Sequence, residues 1–251
     1  WCGWFRSMMT AQSSLLFGKR LQAFVKRGQE PFRTRAKPKG SLLARLDKEF
    51  AKRLFDVLFS LAVLILFAPV YLVLGFTIAL SSPGPIFYVQ ERVGKNHKPF
   101  YCIKFRTMVV NADEILLDLI ASSPGLRQEF EDNFKLKQDP RITKIGHFLR
   151  LTSLDEFPQF WNVLMGDMSI VGPRPLVAEE LPRYGRHIDK VLTIKPGITG
   201  LWQVSGRNDI PYNRRVQIDV HYASCYSMWL DLWVIFKTVF VVIVPKNNGA
   251  Y

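Results

Sequence analysis

Val57-Leu-Phe-Ser-Leu-Ala-Val-Leu-Ile-Leu-Phe-Ala-Pro69-Val-Tyr-Leu-Val-Leu-Gly-Phe-Thr-Ile-Ala-Leu80 is the stretch on which the fold of this chain turns. It runs 24 residues without a charge, enough helix to cross a bilayer core of roughly 30 Å. Pro69 sits in its middle, where it removes a helix hydrogen bond and clashes with the preceding turn. Two arrangements satisfy the pattern. One is a Pro-kinked transmembrane span; the other is a helix-break-helix that enters one leaflet and returns to the same side. The flanks favour the second. Arg45, Lys48, Lys52 and Arg53 precede the run and Arg92, Lys95 and Lys98 follow it, so the positive-inside tendency puts both ends in the cytoplasm. A half-helix of about a dozen residues spans roughly 18 Å and reaches mid-bilayer. The re-entrant form is therefore the expectation, with Pro69 as its break.

Charge supports a membrane setting. The chain of 251 residues carries a net +13, and 48% of it is hydrophobic. Thirteen Lys or Arg between Trp1 and Arg53 face only Glu30, Asp47 and Glu49, so almost all the excess lies beside the apolar run. Cations there attract anionic headgroups by about 1 kcal/mol each. A nucleic-acid-binding protein would spread them with aromatics over a folded face, and that function class is set aside. Cys2, Cys102 and Cys225 are too scattered for a disulfide framework. His97, His147, His187 and His221 show no metal-ligand spacing. No signal-peptide pattern opens the chain, and a start on Trp1 reads as the later part of a longer product.

Outward from the run, Trp1 to Gly40 reads as an amphipathic or partly disordered basic lead-in lying on the membrane surface. Leu42 to Phe55 has helical character. Ser82-Pro-Gly-Pro85 stops the apolar segment sharply. Ile86 to Arg92 and Phe100 to Met108 carry strand residues around Gly94-Lys-Asn-His97, which predicts a hairpin. Asn111 to Lys137 is an acidic helical excursion interrupted at Ser123-Pro-Gly125, and Ile142 to Met165 is amphipathic with Pro158 near its middle. Short elements and turns follow. The last apolar stretch, Met228 to Val244, holds Asp231 and Lys237, charges that make a full crossing costly. An interfacial helix with Trp229 and Trp233 at headgroup level and a buried core helix both fit it.

The chemistry concentrates in Arg150-Leu-Thr-Ser-Leu-Asp155-Glu156-Phe-Pro-Gln, with Gly172-Pro-Arg174-Pro175 downstream. Adjacent carboxylates repel, so keeping both ionised calls for a cation or a metal. Arg150 and Arg174 have the donors for bidentate phosphate contacts. A nucleophilic carboxylate, a hard-metal ligand and two guanidiniums make a kit for phosphoryl transfer. Taken alone, the pair reads as readily as an acidic surface step before Pro158.

An ordered set of motifs decides between these. Lys52-Arg-Leu-Phe-Asp56, Gln90-Glu-Arg-Val-Gly94, Lys104-Phe-Arg-Thr-Met108, Thr152-Ser-Leu-Asp-Glu156, Gly166-Asp-Met-Ser169, Val171-Gly-Pro-Arg-Pro175, Lys195-Pro-Gly-Ile-Thr-Gly200 and Gly206-Arg-Asn208 follow one another. In this the chain, from about Lys52 to Tyr251, resembles the bacterial sugar transferase family, the monotopic polyprenyl-phosphate phosphoglycosyl transferases. The resemblance implies an α+β fold, predominantly helical. It would comprise a basic lead-in (1–50), a re-entrant membrane helix (51–81) and a compact cytosolic catalytic domain (82–251) with a small β-hairpin and interfacial amphipathic helices.

It also implies roles. Asp155 would attack the sugar-linked phosphate of a UDP-hexose and expel UMP. Glu156 would hold Mg²⁺. Arg150, Arg174, Lys104, Arg106, Arg92, Gln203 and Arg207 would bind substrate. Undecaprenyl phosphate would then take the hexose-1-phosphate, at the cytoplasmic face of a bacterial inner membrane, among membrane lipids. The acidic insert and the terminal Gly249-Ala-Tyr251 resemble enzymes that start O-antigen or exopolysaccharide chains, with galactose favoured slightly over glucose. A homodimer is compatible with this reading. The rival is a membrane-tethered scaffold or signalling protein, which would not require Asp155, Arg150 and Arg174 together.

Overall fold

The computed structural model describes residues 42–133, 136, 138–206 and 210–243. The lead-in expected for residues 1–50 lies outside them up to residue 41, and so does Arg207. The chain divides into two units, Trp1–Lys48 and Glu49–Tyr251, and the second carries the elements that build the site.

Helix α1 (Leu42–Leu66) and helix α2 (Ala68–Ser81) form the apolar pair. Among the described residues no single helix is long and apolar enough to cross a membrane. The segments Lys48–Leu66 and Ala68–Ser81 pass that test only together, bent by 62°. The break falls at Phe67 and not at Pro69, a correction with a plain cause. Pro69 sits in the first turn of α2, where its missing N–H would be unpaired in any case. Phe67 closes α1 through its N–H to Val63 O (2.9 Å) and opens α2 by accepting from Tyr71 N (3.0 Å). Leu54, Leu58, Leu61, Ile65 and Leu66 on α1, and Leu72, Val73, Phe76 and Leu80 on α2, are exposed. The opposite side of α2 buries Leu74 and Ile78 against Phe105 and Leu149.

The middle of α1 is bolted into the rest of the fold. Lys52 Nζ donates to Val171 O (3.1 Å) and Asp231 Oδ2 (2.6 Å). Arg53 donates to the carbonyls of Val163 (2.5 Å) and Leu164 (2.8 Å). Asp56 Oδ1 accepts from Ser169 Oγ and Ile170 N, both at 3.1 Å. The Lys-Arg-x-x-Asp pattern thus joins the apolar pair to the layer behind it.

The hairpin forms as expected. Strands β1 (Phe87–Val93) and β2 (Pro99–Phe105) pair antiparallel, Phe87 opposite Phe105 and Val93 opposite Pro99. The acidic excursion is α3 (Ala112–Ser122) and α4 (Pro124–Asn133), split at the expected Ser123-Pro-Gly125 interruption. Helix α5 (Lys144–Thr152) starts on Thr143, whose side chain accepts from Gly146 N. It stops at Ser153 in the left-handed region (φ 58°), earlier than Pro158 suggests. Helix α6 (Gln159–Met165) follows.

One element has no counterpart in the sequence reading. Strand β3 (Ser169–Val171) lies parallel to β4 (Gly197–Thr199), and three-residue strands are too short to show a period in sequence. The two backbones meet at Gly172 and Gly197, where a Cβ on Gly197 would stand 2.1 Å from Gly172 N. Between them come the helical turns α7 (Leu181–Tyr184) and α8 (Ile188–Val191), and after them α9 (Tyr212–Cys225) and α10 (Met228–Ile243). A second core gathers Leu176, Tyr184, Val191 and Val216. The last helix buries one face and exposes another. Asp231 is buried against Lys52 and accepts from the Tyr222 hydroxyl (2.6 Å), while Trp229, Phe236, Val239 and Phe240 are exposed. The fold is thus mostly helical with a small antiparallel hairpin.

Candidate active site

Asp155 and Glu156 sit in a single 3₁₀ turn, Leu154–Glu156, between α5 and α6. Ser153 makes that turn possible, because its left-handed backbone stops α5 and redirects the chain. Arg150 stands in the last turn of α5, its Nε donating to Thr107 Oγ1 (3.0 Å). Lys104 reaches in from β2 and donates to Glu156 Oε1 (2.7 Å). Sequence reading makes Lys104 a substrate ligand; the structure pairs it with the second carboxylate.

The strand and the turn are held in register by Asn162 on α6. Its Oδ1 accepts from Ile103 N (3.0 Å) and its Nδ2 donates to Tyr101 O (2.7 Å). The side-chain amide thus caps the free edge of β2 next to Lys104. Close packing does the same for Arg150. A Cβ on Gly146 would stand 2.0 Å from Thr107 O, so the absence of a side chain lets α5 approach the Thr107 segment. Thr143 N donates to that same carbonyl (3.0 Å). Behind Arg150, Asp139 takes Arg141 in a bidentate pair at 2.8 and 2.7 Å.

Electrostatics single out Asp155. Burial pushes its carboxyl up to about 6; Lys104 opposes the rise, Glu156 adds to it and Arg150 opposes it. A carboxylate with that value is ionised at neutral pH yet poorly solvated, a state that favours nucleophilic attack. Lys104 moves the other way. Burial works against its charge, but Glu156 and Asp155 outweigh that and raise it above the ordinary lysine value.

The family model for "Bacterial sugar transferase" matches residues 47–245. The chain belongs to the bacterial sugar transferase family. Among curated relatives of this sugar transferase, the UDP-galactose-lipid carrier transferase of Erwinia amylovora is 48% identical over 209 residues, 83% of this chain and 43% of the relative. The undecaprenyl-phosphate galactose phosphotransferase of Salmonella typhimurium is 49% identical over the same shares. The UDP-glucose:undecaprenyl-phosphate glucose-1-phosphate transferase of Klebsiella pneumoniae is 39% identical, covering 80% of this chain and 41% of its own. The sugar transferase described here therefore spans less than half the length of these relatives.

Within it, the predicted residues fall into three groups. Asp155, Glu156, Lys104 and Arg150 come together around the 3₁₀ turn. Arg174 and Arg92 form a second group. Arg92 donates to Pro175 O (3.1 Å) and Gln90 Oε1 (2.6 Å), while the half-buried Arg174 makes no hydrogen bond or ion pair among the described residues. Burial lowers the Arg92 value, and the neighbouring Arg174 charge lowers it further. Two like charges at close quarters suit an anion. The third group is held by backbone. Arg106, expected at the substrate, donates to Pro83 O (2.6 Å) and Ser82 O (2.7 Å), stapling the exit of α2 to the end of β2. Gln203 Nε2 donates to Ile198 O (3.2 Å).

Sequence reading misses Asn162, Thr107 and Gly146. None has a reactive group, and only the tertiary contact shows what each does. No group of three or more His, Cys, Asp or Glu converges among the described residues. Asp155 and Glu156 nevertheless fit Mg²⁺, a hard ion usually held by one or two carboxylates with substrate phosphates and water completing the shell.

Proposed function

We propose that this transferase moves hexose-1-phosphate from a UDP-hexose to undecaprenyl phosphate, releasing UMP, through a covalent phosphosugar on Asp155. The observation that carries the proposal is the Asp155 environment: a half-buried carboxyl at about 6 between the Lys104–Glu156 ion pair and Arg150. A scaffold has no use for that arrangement. The names of the Erwinia and Salmonella relatives support galactose as the hexose, and that of the Klebsiella relative supports glucose as the alternative.

In the first half-reaction an Asp155 oxygen attacks the sugar-linked phosphorus. The bond to the bridging oxygen breaks and UMP leaves with its electron pair. Arg150 lies where it can neutralise charge on the equatorial oxygens. In the second, an oxygen of undecaprenyl phosphate attacks the same phosphorus and the Asp155 carboxylate departs unchanged. No proton is needed in either step, so one site serves both phosphates in turn. Lys104 keeps Glu156 oriented and its charge balanced throughout. When bound, Mg²⁺ would be held by Glu156 with Asp155 beside it and would offset charge on the diphosphate.

The exposed apolar sides of α1 and α2, bent by 62°, support a re-entrant anchor in the bacterial cytoplasmic membrane with the catalytic layer on the cytoplasmic side. The Phe157 carbonyl, next to the dyad, accepts from Tyr71 of α2 (2.8 Å). That bond would keep the reacting carboxylate close to the lipid acceptor.

The test is UMP release from UDP-galactose and UDP-glucose with undecaprenyl phosphate present. Donor alone should release about one UMP per site and leave a phosphohexose on the protein, with parallel initial-rate lines. Intersecting lines and an unchanged protein mass would favour direct attack by the lipid phosphate. Labelling of cysteines placed near Lys48 and Lys95 should report one common face of the membrane; opposite faces would replace the re-entrant reading with a span.

A further inference from the structure

Away from the dyad, Arg174, Glu180, Tyr184, Trp202, Tyr212 and Arg215 surround a cavity with about 10 Å³ of internal space. Its walls contain polar groups without partners among the described residues. Trp202 is only 5% exposed, and among the described residues its indole Nε1 has no hydrogen-bond partner, nor does the Tyr212 hydroxyl. Buried donors are nearly always paired, so two at one cavity point to something that enters it. Arg215 lies over the Trp202 ring at 5.1 Å and fixes the indole from one side. Arg174 contributes a guanidinium with no hydrogen bond or ion pair among the described residues. The acids that face this group are Glu180, engaged with Val177 N (3.3 Å), and Asp219, which accepts from Tyr184 (2.8 Å).

Size and position say which part of a ligand belongs here. A space of about 10 Å³ admits one oxygen-sized group and no ring. The ligand's body therefore rests at the mouth, beside Arg174, and inserts a single acceptor. Along the hairpin, Lys104 pairs with Tyr88 and Phe100 pairs with Arg92, the arginine next to Arg174. Four residues of strand separate the two positions, about 14 Å at 3.4 Å per residue. In a nucleoside diphosphate sugar the hexose hangs one oxygen from the reacting phosphorus. The nucleoside lies a second phosphate and a ribose further away. The longer reach matches the nucleoside.

We infer that this cavity is a nucleoside subsite, in which one oxygen of the base or ribose accepts from Trp202 Nε1 and the Tyr212 hydroxyl while Arg174 faces the phosphate leading to it. The inference rests on the donor proposed above. It adds a reading device to a site otherwise made of charges. Guanidiniums hold any phosphate, whereas a neutral pair of donors at a fixed place discriminates by shape.

Calorimetric binding of UDP to the full chain in Mg²⁺ buffer tests this without turnover, with inorganic pyrophosphate and galactose 1-phosphate as parallel probes. Trp202→Phe keeps a ring under Arg215 and deletes the N–H; Tyr212→Phe removes one buried oxygen and little packing. Each should weaken UDP about two- to tenfold, the worth of one neutral hydrogen bond. Pyrophosphate and galactose 1-phosphate should bind as to wild type. If Trp202→Phe melts early, Tyr212→Phe alone decides. UDP affinity unchanged in a folded variant, or equal losses for UDP and pyrophosphate, would overturn the subsite, as would a loss confined to galactose 1-phosphate. Wild-type protein that fails to bind UDP at all would count against the donor itself.

Discussion

Replacing Lys104 by Met tests what holds the ionisation of the proposed nucleophile, Asp155. Asp155 begins at about 6, raised by burial and by Glu156 and held down by Lys104 and Arg150. On the proposed mechanism the attacking form is the carboxylate, so activity should be lost as pH falls through that value. A neighbouring opposite charge lowers a carboxyl by about one to three units. Removing Lys104 should therefore carry the acid limb upward, and a shift of about 1.5 units, in the lower half of that range, puts it near 7.5. At pH 7 the ionised fraction would drop from about 90% to about 25%, roughly fourfold in rate from ionisation alone. At pH 9 that part of the loss should vanish. Glu156 also loses its 2.7 Å partner, which lowers the whole profile without moving its midpoint. The assay is kcat/KM for UDP-hexose against pH, which reports the free enzyme, with Lys104→Arg expected to return the limb toward 6. An acid limb that stays near 6 in Lys104→Met would refute the electrostatic account of Asp155.

Other perturbations act through named contacts. Asp155→Asn should abolish turnover and the mass adduct, since an amide is a poor nucleophile, and Glu156→Gln should slow turnover severely and raise the Mg²⁺ concentration needed. Gly146→Ala should depress kcat through Arg150, because the new methyl carbon would have to stand 2.0 Å from Thr107 O; full activity would mean that α5 can shift freely. Asp219 is buried and pushed up to about 7, so its cost to stability grows from about pH 4, the ordinary carboxyl value, and levels above about pH 7. Asp219→Asn should accordingly melt above wild type at pH 8, with the gap closing as pH falls to about 4. Lys52→Met would strand buried Asp231, and a loss of about 3 kcal/mol is expected by thermal or denaturant melting.

Local signals in this chain are legible because the groups that make them are close in sequence. The uncharged run with its proline predicts a broken helix, and Gly94-Lys-Asn-His97 between strand formers predicts the hairpin. The motif Thr152-Ser-Leu-Asp-Glu156 locates the dyad, since two adjacent carboxylates next to a helix end need no tertiary information to be noticed. Even there the expected break is misplaced, because a proline tolerated in the first turn of the following helix interrupts the chain at Phe67.

Partnership is decided by tertiary structure. Lys104 and Arg106 are two residues apart at the end of the hairpin and look alike in sequence. Two residues apart on a continuous strand they would share a face, but β2 ends at Phe105, and the exit of α2 takes Arg106 to the carbonyls of Ser82 and Pro83 while Lys104 pairs with Glu156. Asp231 reads as an obstacle inside an apolar helix until Lys52, Tyr222 and Val171 are seen around it. The parallel pairing of Ser169–Val171 with Gly197–Thr199 leaves no trace, because three-residue strands draw their stability from burial on the assembled fold. Composition and spacing record what each residue is able to do. Which one pairs with a carboxylate, which holds the helix and which lines a cavity depends on contacts between segments far apart in the chain.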